Sequence, residues 1–168
     1  MLPSGHLAVS YLLGKLPRLR LPAAIVGGML PDIDFVLLPL PVFNQIHRVV
    51  THNLLFVLSA ALLISLWAKP QQRLTVILSA LVGGLIHLFL DACLDANPSN
   101  GVGVALLWPL SDQAFSPFNL LSPPPIAVDW HQPLAMMSLA LSGLIWEIPF
   151  YLLALSLFWR SYRNRSTR

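Results

Sequence analysis

Charge is what this 168-residue chain has least of: Asp, Glu, Lys and Arg together make up 10% of it, against about 25% in an ordinary soluble domain. Apolar residues make up 56% and mean hydropathy is +0.71, so a water-facing globular surface is excluded and an integral membrane protein is expected. One cysteine, Cys93, rules out an intramolecular disulfide, and its expected place is a small buried apolar position. A basic n-region before the first apolar stretch is missing, and that stretch contains His6, so no cleavable signal peptide is expected. Internal repeats and low-complexity segments are absent too. The pI near 9.5 does not point to nucleic acid, because the basic residues fall in short clusters between apolar runs.

Those runs predict an all-α integral membrane bundle within one domain, residues 1–168. An N-terminal unit, 1–48, holds two short apolar pieces, 6–14 and 22–30, too short to span. They suggest a half-deep helical hairpin, with Gly27-Gly28 a place for close backbone approach. Pro31 permits a break, and residues 35–43, with Pro39 and Pro41, allow at best a short helix before a loop. Two spans are expected within 49–94: residues 49–68, entered at a Thr51 or Asn53 cap, and residues 74–94. Residues 95–133 lack Lys and Arg and are rich in Pro, Gly, Ser and Asn; they read as a long loop with an interfacial or re-entrant piece near 102–109. Residues 134–159 form the third full span, kinked at Pro149, and 160–168 a basic tail.

The basic clusters 15–20, 69–73 and the tail belong in the cytoplasm by the positive-inside rule, which places 95–133 on the extracytoplasmic side. Arg48 breaks that rule, which implies a local job: pairing a carboxylate or holding an anion. Counting helical rise from each basic loop puts His6 about 14 Å up, Asp32 about 18 Å, His87 about 21 Å, His52 about 25 Å and Asp91 about 27 Å. Four separate segments therefore carry His or Asp to the extracytoplasmic half of the bilayer.

What these residues offer is metal chemistry. His87 and Asp91 at i, i+4 share one helix face and present a nitrogen and an oxygen to one point. Asp32 and Asp34 supply oxygens from the turn after Pro31. His47 and His52 lie about 140° apart on one helix and can share an ion only if His47 sits in a preceding loop, or if two ions bind. Singly, each has a plain structural use: an inter-helix contact for His87, a capped loop for Pro-Asp-x-Asp. Jointly, four of the five histidines fall in the constellation, and carboxylates in lipid require partners, metal or water. The expected ligands are His6, Asp32, His47, His52, His87 and Asp91, around one or two divalent ions, zinc by preference. Asp34 is a ligand, a group orienting a histidine, or the general base; Arg48 holds a phosphate or carboxylate oxygen. His131 and Asp95 are outlying candidates.

His6, Gly27-Gly28…Pro31-Asp32-Ile33-Asp34, His47-Arg48-x-x-Thr51-His52, His87-x-x-x-Asp91 and Trp108-Pro109 follow, in order, the pattern of the YdjM-like membrane-bound proteins assigned as metal-dependent hydrolases. The chain resembles that family over roughly residues 1–115, with a longer stretch between Asp91 and Trp108. The resemblance implies an inner-membrane hydrolase of unassigned substrate. The order His, Asp, His, His-x-x-x-Asp also resembles, more faintly, the zinc-dependent phospholipases C; their later His-x-x-x-Glu is missing here, so a full trinuclear site is not implied. The function expected is hydrolysis of an ester or phosphoester, of a lipid or lipid-linked substrate, by metal-activated water. The rival is a non-enzymatic membrane protein, either an ion or proton transporter using Glu147 in the last span with the Asp/His cluster, or a regulatory partner.

Overall fold

The computed structural model describes residues 1–97, 100–121 and 128–166, so Pro98, Ser99, residues 122–127 and the tail end at Arg168 lie outside the described residues. Helices dominate: α1 Pro3–Gly14, α2 Leu21–Met29, a 3-10 segment Pro31–Leu37, α3 Phe43–Ile46, α4 Leu54–Ser65, a 3-10 turn Pro70–Gln72, α5 Arg73–Cys93 and α6 Pro133–Ser166. Proline opens most of them (Pro3, Pro22, Pro31, Pro70, Pro133), where its missing N–H is not needed and its fixed φ suits a first turn.

The framework is α2 laid against α5. Small residues make the contact: Ala24, Gly27 and Gly28 on α2 meet Ala80 and Gly83 on α5 so closely that a Cβ on Gly27 would run into the Ala80 backbone. This is the membrane solution to helix packing, where close backbone approach replaces the hydrophobic effect as the source of attraction. Gly84 meets Val57 of α4 in the same way, and Ser10 of α1 fills the notch at Gly28. The Arg20 amide donates to Ser79 Oγ at 2.8 Å, pinning the start of α2 to α5.

Two helices among the described residues are long and apolar enough to cross a bilayer, Pro70–Cys93 and Pro133–Asn164. The expected span at 49–68 is instead a 12-residue helix, α4. Its N-cap is Asn53, whose side chain accepts from Phe56 N at 2.8 Å. Residues 49–53 are spent on a non-helical stretch that carries Thr51 and His52 into the interior, so the helix starts later than hydropathy suggests. At about 18 Å it falls short of a 30 Å core. Residues 35–43, read as a short helix, divide between the 3-10 segment and the start of α3, as Pro39 and Pro41 require. The last helix passes Pro149 and runs seven residues beyond the expected end at Trp159. Its apolar face stays open, with Leu141, Ile145, Leu152 and Leu155 exposed, as suits a helix bathed in lipid.

The loop after α5 is built, not slack. Val104 and Phe115 form an antiparallel bridge, the Leu54 amide donates to Leu106 O, and the Leu120 amide to Cys93 O. The expected interfacial piece at 102–109 is thus a set of turns with Val104 and Ala105 buried, folded over the end of the bundle. The opposite end is basic: Lys15 reaches Ser161 near the C-terminus of α6, and Arg20 lies beside Trp67 and Ala68.

We predict that Gly27→Ala forces α2 off α5 and costs about 1–3 kcal/mol, read as a lowered melting temperature in detergent, whereas Ala at Gly143, where a Cβ meets only Leu121 at 3.6 Å, leaves it unchanged.

Candidate metal centre

Four chain segments bring their polar residues to one place under that loop. Asp32, at the start of the 3-10 segment, His52 before α4, and His87 with Asp91 on α5 offer ligand atoms all within 4.8 Å of one another. His52 Nε2 lies 3.2 Å from His87 Nε2, 3.3 Å from Asp91 Oδ2 and 3.5 Å from Asp32 Oδ1. His87 Nε2 lies 3.5 Å from Asp91 Oδ2 and 3.7 Å from Asp32 Oδ1. A tetrahedral ion with bonds of about 2.0–2.1 Å has ligand–ligand edges of about 3.3–3.4 Å, so the four atoms already stand near such spacing.

The hydrogen bonds behind them fix the protons. His87 Nδ1 donates to the Gly28 carbonyl at 2.7 Å, so its Nε2 is bare on the cluster side. That bond exists because the α2–α5 contact carries the last turn of α2 up to His87. Thr51 Oγ1 gives its one hydrogen to Asp34 Oδ2 at 3.0 Å and accepts from His52 Nδ1 at 3.0 Å; His52 Nε2 is therefore bare as well. With both rings neutral, two imidazole lone pairs and two carboxylate oxygens face one point. In a buried place such a set requires a cation, either a metal ion or a proton taken up by an imidazole. Asp32 Oδ2 is also buried without a hydrogen-bond partner.

The remaining expected residues surround this centre in different roles. His6 reaches it from α1 and stacks on His87 with centroids 3.6 Å apart. Its Nε2 donates to Asp91 Oδ1 at 3.0 Å, and the Met1 amine holds the same oxygen at 2.7 Å. His6 thus orients Asp91 and lies outside the four-residue group. His47, in the loop before α4 (one of the two arrangements the spacing left open), donates from Nδ1 to Asp34 Oδ2 at 3.0 Å. Asp34, His47 and His52 form a second set with metal-compatible spacing, although His52 Nδ1 and Asp34 Oδ2 are engaged with Thr51. Phe35, Phe43 and Trp130 enclose the His47 ring, with centroids 4.9, 4.7 and 4.5 Å away.

Arg48 pairs a carboxylate. Its Nη1 donates to Asp95, which is fully buried and also accepts from the Asn97 and Gly103 amides. Arg48 has φ +65°, costly for a side-chain-bearing residue. It is held there by the ion pair and by the Ala105 amide, which donates to its carbonyl. Asp95 is thereby taken out of the candidate ligand set. Outside it too is His131, which with Asn44 holds Asp129 at the surface. Glu147 accepts from the Leu2 amide at 2.7 Å and the Tyr151 hydroxyl at 2.5 Å. It receives a free amide of the first turn of α1 and does not enter the cluster. Met1 and Thr51 are the functional neighbours that pattern reading missed; Thr51 lay inside the motif and was weighed only as a cap.

A helical membrane protein with a buried His/Asp centre at one end of the bundle is the class defined by this fold and site. Comparison narrows it: the family model described as "YdjM inner membrane protein" matches residues 1–166, well beyond the 1–115 over which the motifs run. The chain belongs to that family and is an inner membrane protein. Among its relatives is "Inner membrane protein YbcI" of Escherichia coli (strain K12), 32% identical over 149 residues, covering 86% of this chain and 85% of that protein. No solved structure matches the chain.

Two outcomes follow from this geometry. Arg48→Ala strands a buried carboxylate and is expected to cost about 3–5 kcal/mol, while the Arg48→Met, Asp95→Asn pair costs less than the sum of the single changes in a thermal melt. Backbone and side-chain hydrogen bonds from His131, with one from Asn44, lower the Asp129 pKa from 3.8 to about 2. Because the folded value is the lower one, the stability this turn contributes is present above pH 4 and lost as pH falls toward 2. Trp130 fluorescence should report that loosening, and Asp129→Asn should remove that part of the transition.

Proposed function

We propose that this protein is a metal-dependent hydrolase of the inner membrane, with Asp32, His52, His87 and Asp91 holding one divalent ion. The observation that carries the reading is the convergence of four potential ligand atoms, two imidazole Nε2 and two carboxylate oxygens, within 4.8 Å of one another. Nitrogen and oxygen donors at that spacing favour zinc. When bound, such an ion supplies a Lewis acid and lowers the pKa of water toward neutrality. The protein's own part is to keep both Nε2 atoms bare through Gly28 and Thr51, to hold Asp91 through His6, and to exclude bulk water with the 100–121 loop.

Asp34 is the proposed general base, since its Oδ1 is buried with no hydrogen-bond partner while Oδ2 is tied to His47 and Thr51. His47 and Asp34 take a second ion only if His52 Nδ1 gives up its proton, so one ion is preferred here. Arg48 spends Nη1 on Asp95, and we assign its remaining donors to an oxygen of the ester or phosphoester substrate. For the membrane, α5 and α6 cross fully. The stretch 49–68 makes the third crossing, with its non-helical residues 49–53 shielded from lipid by burial of Thr51, His52 and Asn53. The basic end, with Lys15 and Arg20, faces the cytoplasm and the His/Asp centre the other side.

The test is elemental analysis of detergent-purified protein beside the His87→Ala, Asp91→Ala variant. Stoichiometric zinc or manganese is expected in the parent and not in the variant. Because protons compete with a metal ion for the two Nε2 atoms, retention should fall as pH is lowered. A parent protein that carries no divalent metal and takes none up on addition refutes the reading.

A further inference from the structure

Beside the centre lies a cavity of about 390 Å³ between α6, the start of α1 and the Leu94–Asn97 turn, within the 300–1,000 Å³ usual for ligand sites. Its walls are apolar side chains, among them Leu38, Leu94, Leu121, Met136 and Leu139. Unbranched methionine side chains adapt to an irregular apolar guest. One wall is shared with the centre. Met1 lines the cavity while its amine holds Asp91, and Phe35 and Trp130 line it while packing on His47. Arg48 lines the cavity too and is buried, with Nε lacking a hydrogen-bond partner.

We propose that this cavity takes one acyl chain of a membrane lipid and so seats the lipid's ester or phosphoester linkage against the His/Asp centre. The inference rests on the hydrolase reading for what becomes of the linkage; chain binding itself rests on the cavity. Two features select a lipid chain over a water-soluble substrate. The lining is mostly apolar, and its polar members Arg48, Asn97 and Glu147 are already paired with Asp95, the Val128 carbonyl and the Leu2 amide, so a polar guest would lose its hydration with few replacement partners. And α6, which forms one side, is a candidate span only 17% buried within the protein, so the cavity borders a helix that otherwise faces lipid.

The experiment uses the full-length protein in nanodiscs containing a phosphatidylglycerol with a diazirine at the end of one acyl chain. Irradiation and peptide mass spectrometry locate the label. We expect label on Leu94, Leu121 and Met136 in addition to the lipid-facing Leu152. Gly143→Trp, built where a Cβ meets nothing nearer than Leu121, and Ala140→Trp should each remove most of the cavity label. Label at Leu152 and metal content should stay unchanged in both. Label confined to exposed positions, or cavity label that survives both substitutions, overturns the proposal. Cavity label in a protein that binds no metal leaves the chain site standing and removes the hydrolase reading instead.

Discussion

The close contact between α2 and α5 is the constraint on which everything else depends. Lipid offers apolar surfaces no reason to associate, so the two helices hold together only where small residues let backbones touch. Gly27, Gly28, Ala80 and Gly83 do this. The same contact delivers the Gly28 carbonyl to His87 Nδ1 and so decides which nitrogen of His87 is bare. A packing detail thereby sets the chemistry of the centre: a wider separation would cost the hydrogen bond, the tautomer and the lone pair together.

Around that contact the chain arranges polar residues in a strict division of labour. The outer ring nitrogens of His87 and His52 donate to the Gly28 carbonyl and Thr51 Oγ1, while Asp91 Oδ1 accepts from His6 and Met1 and Asp34 Oδ2 from His47 and Thr51. Such orientation from behind tunes metal sites in general. Arg48 and Asp95 neutralise each other at the rim, which leaves the charge of the centre to Asp32, Asp34 and Asp91. The strained Arg48 backbone belongs to the same design, since the ion pair and the Ala105 amide together fix a conformation that the residue would otherwise avoid.

Much of this was legible in the residues. Hydropathy marked the helices, and the depth count set His6, Asp32, His52, His87 and Asp91 at similar levels in separate segments; the structure brings these five side chains together. The count could not tell which of them would fall in the four-residue group and which behind it. His6 matches the others in type and depth, yet its Nε2 donates to Asp91; that difference is an angle between rings, invisible to spacing. Glu147, weighed in the sequence for the rival ion path, accepts from the Leu2 amide at the start of α1; a count along one helix cannot say which neighbour it faces. The 49–68 run was read as one long helix because hydropathy does not register that Thr51 and His52 turn inward.

By itself the sequence determined that this chain lives in a membrane, that it is helical, and that scarce His and Asp residues lie at a common height. Those properties follow from composition and from the fixed 1.5 Å rise of a helix. Only the tertiary structure decided which nitrogens are bare, which carboxylate oxygens are committed, and that an apolar cavity shares a wall with the centre. Each of these depends on distances between segments far apart in the chain, where a shift of one ångström separates a hydrogen bond from a void.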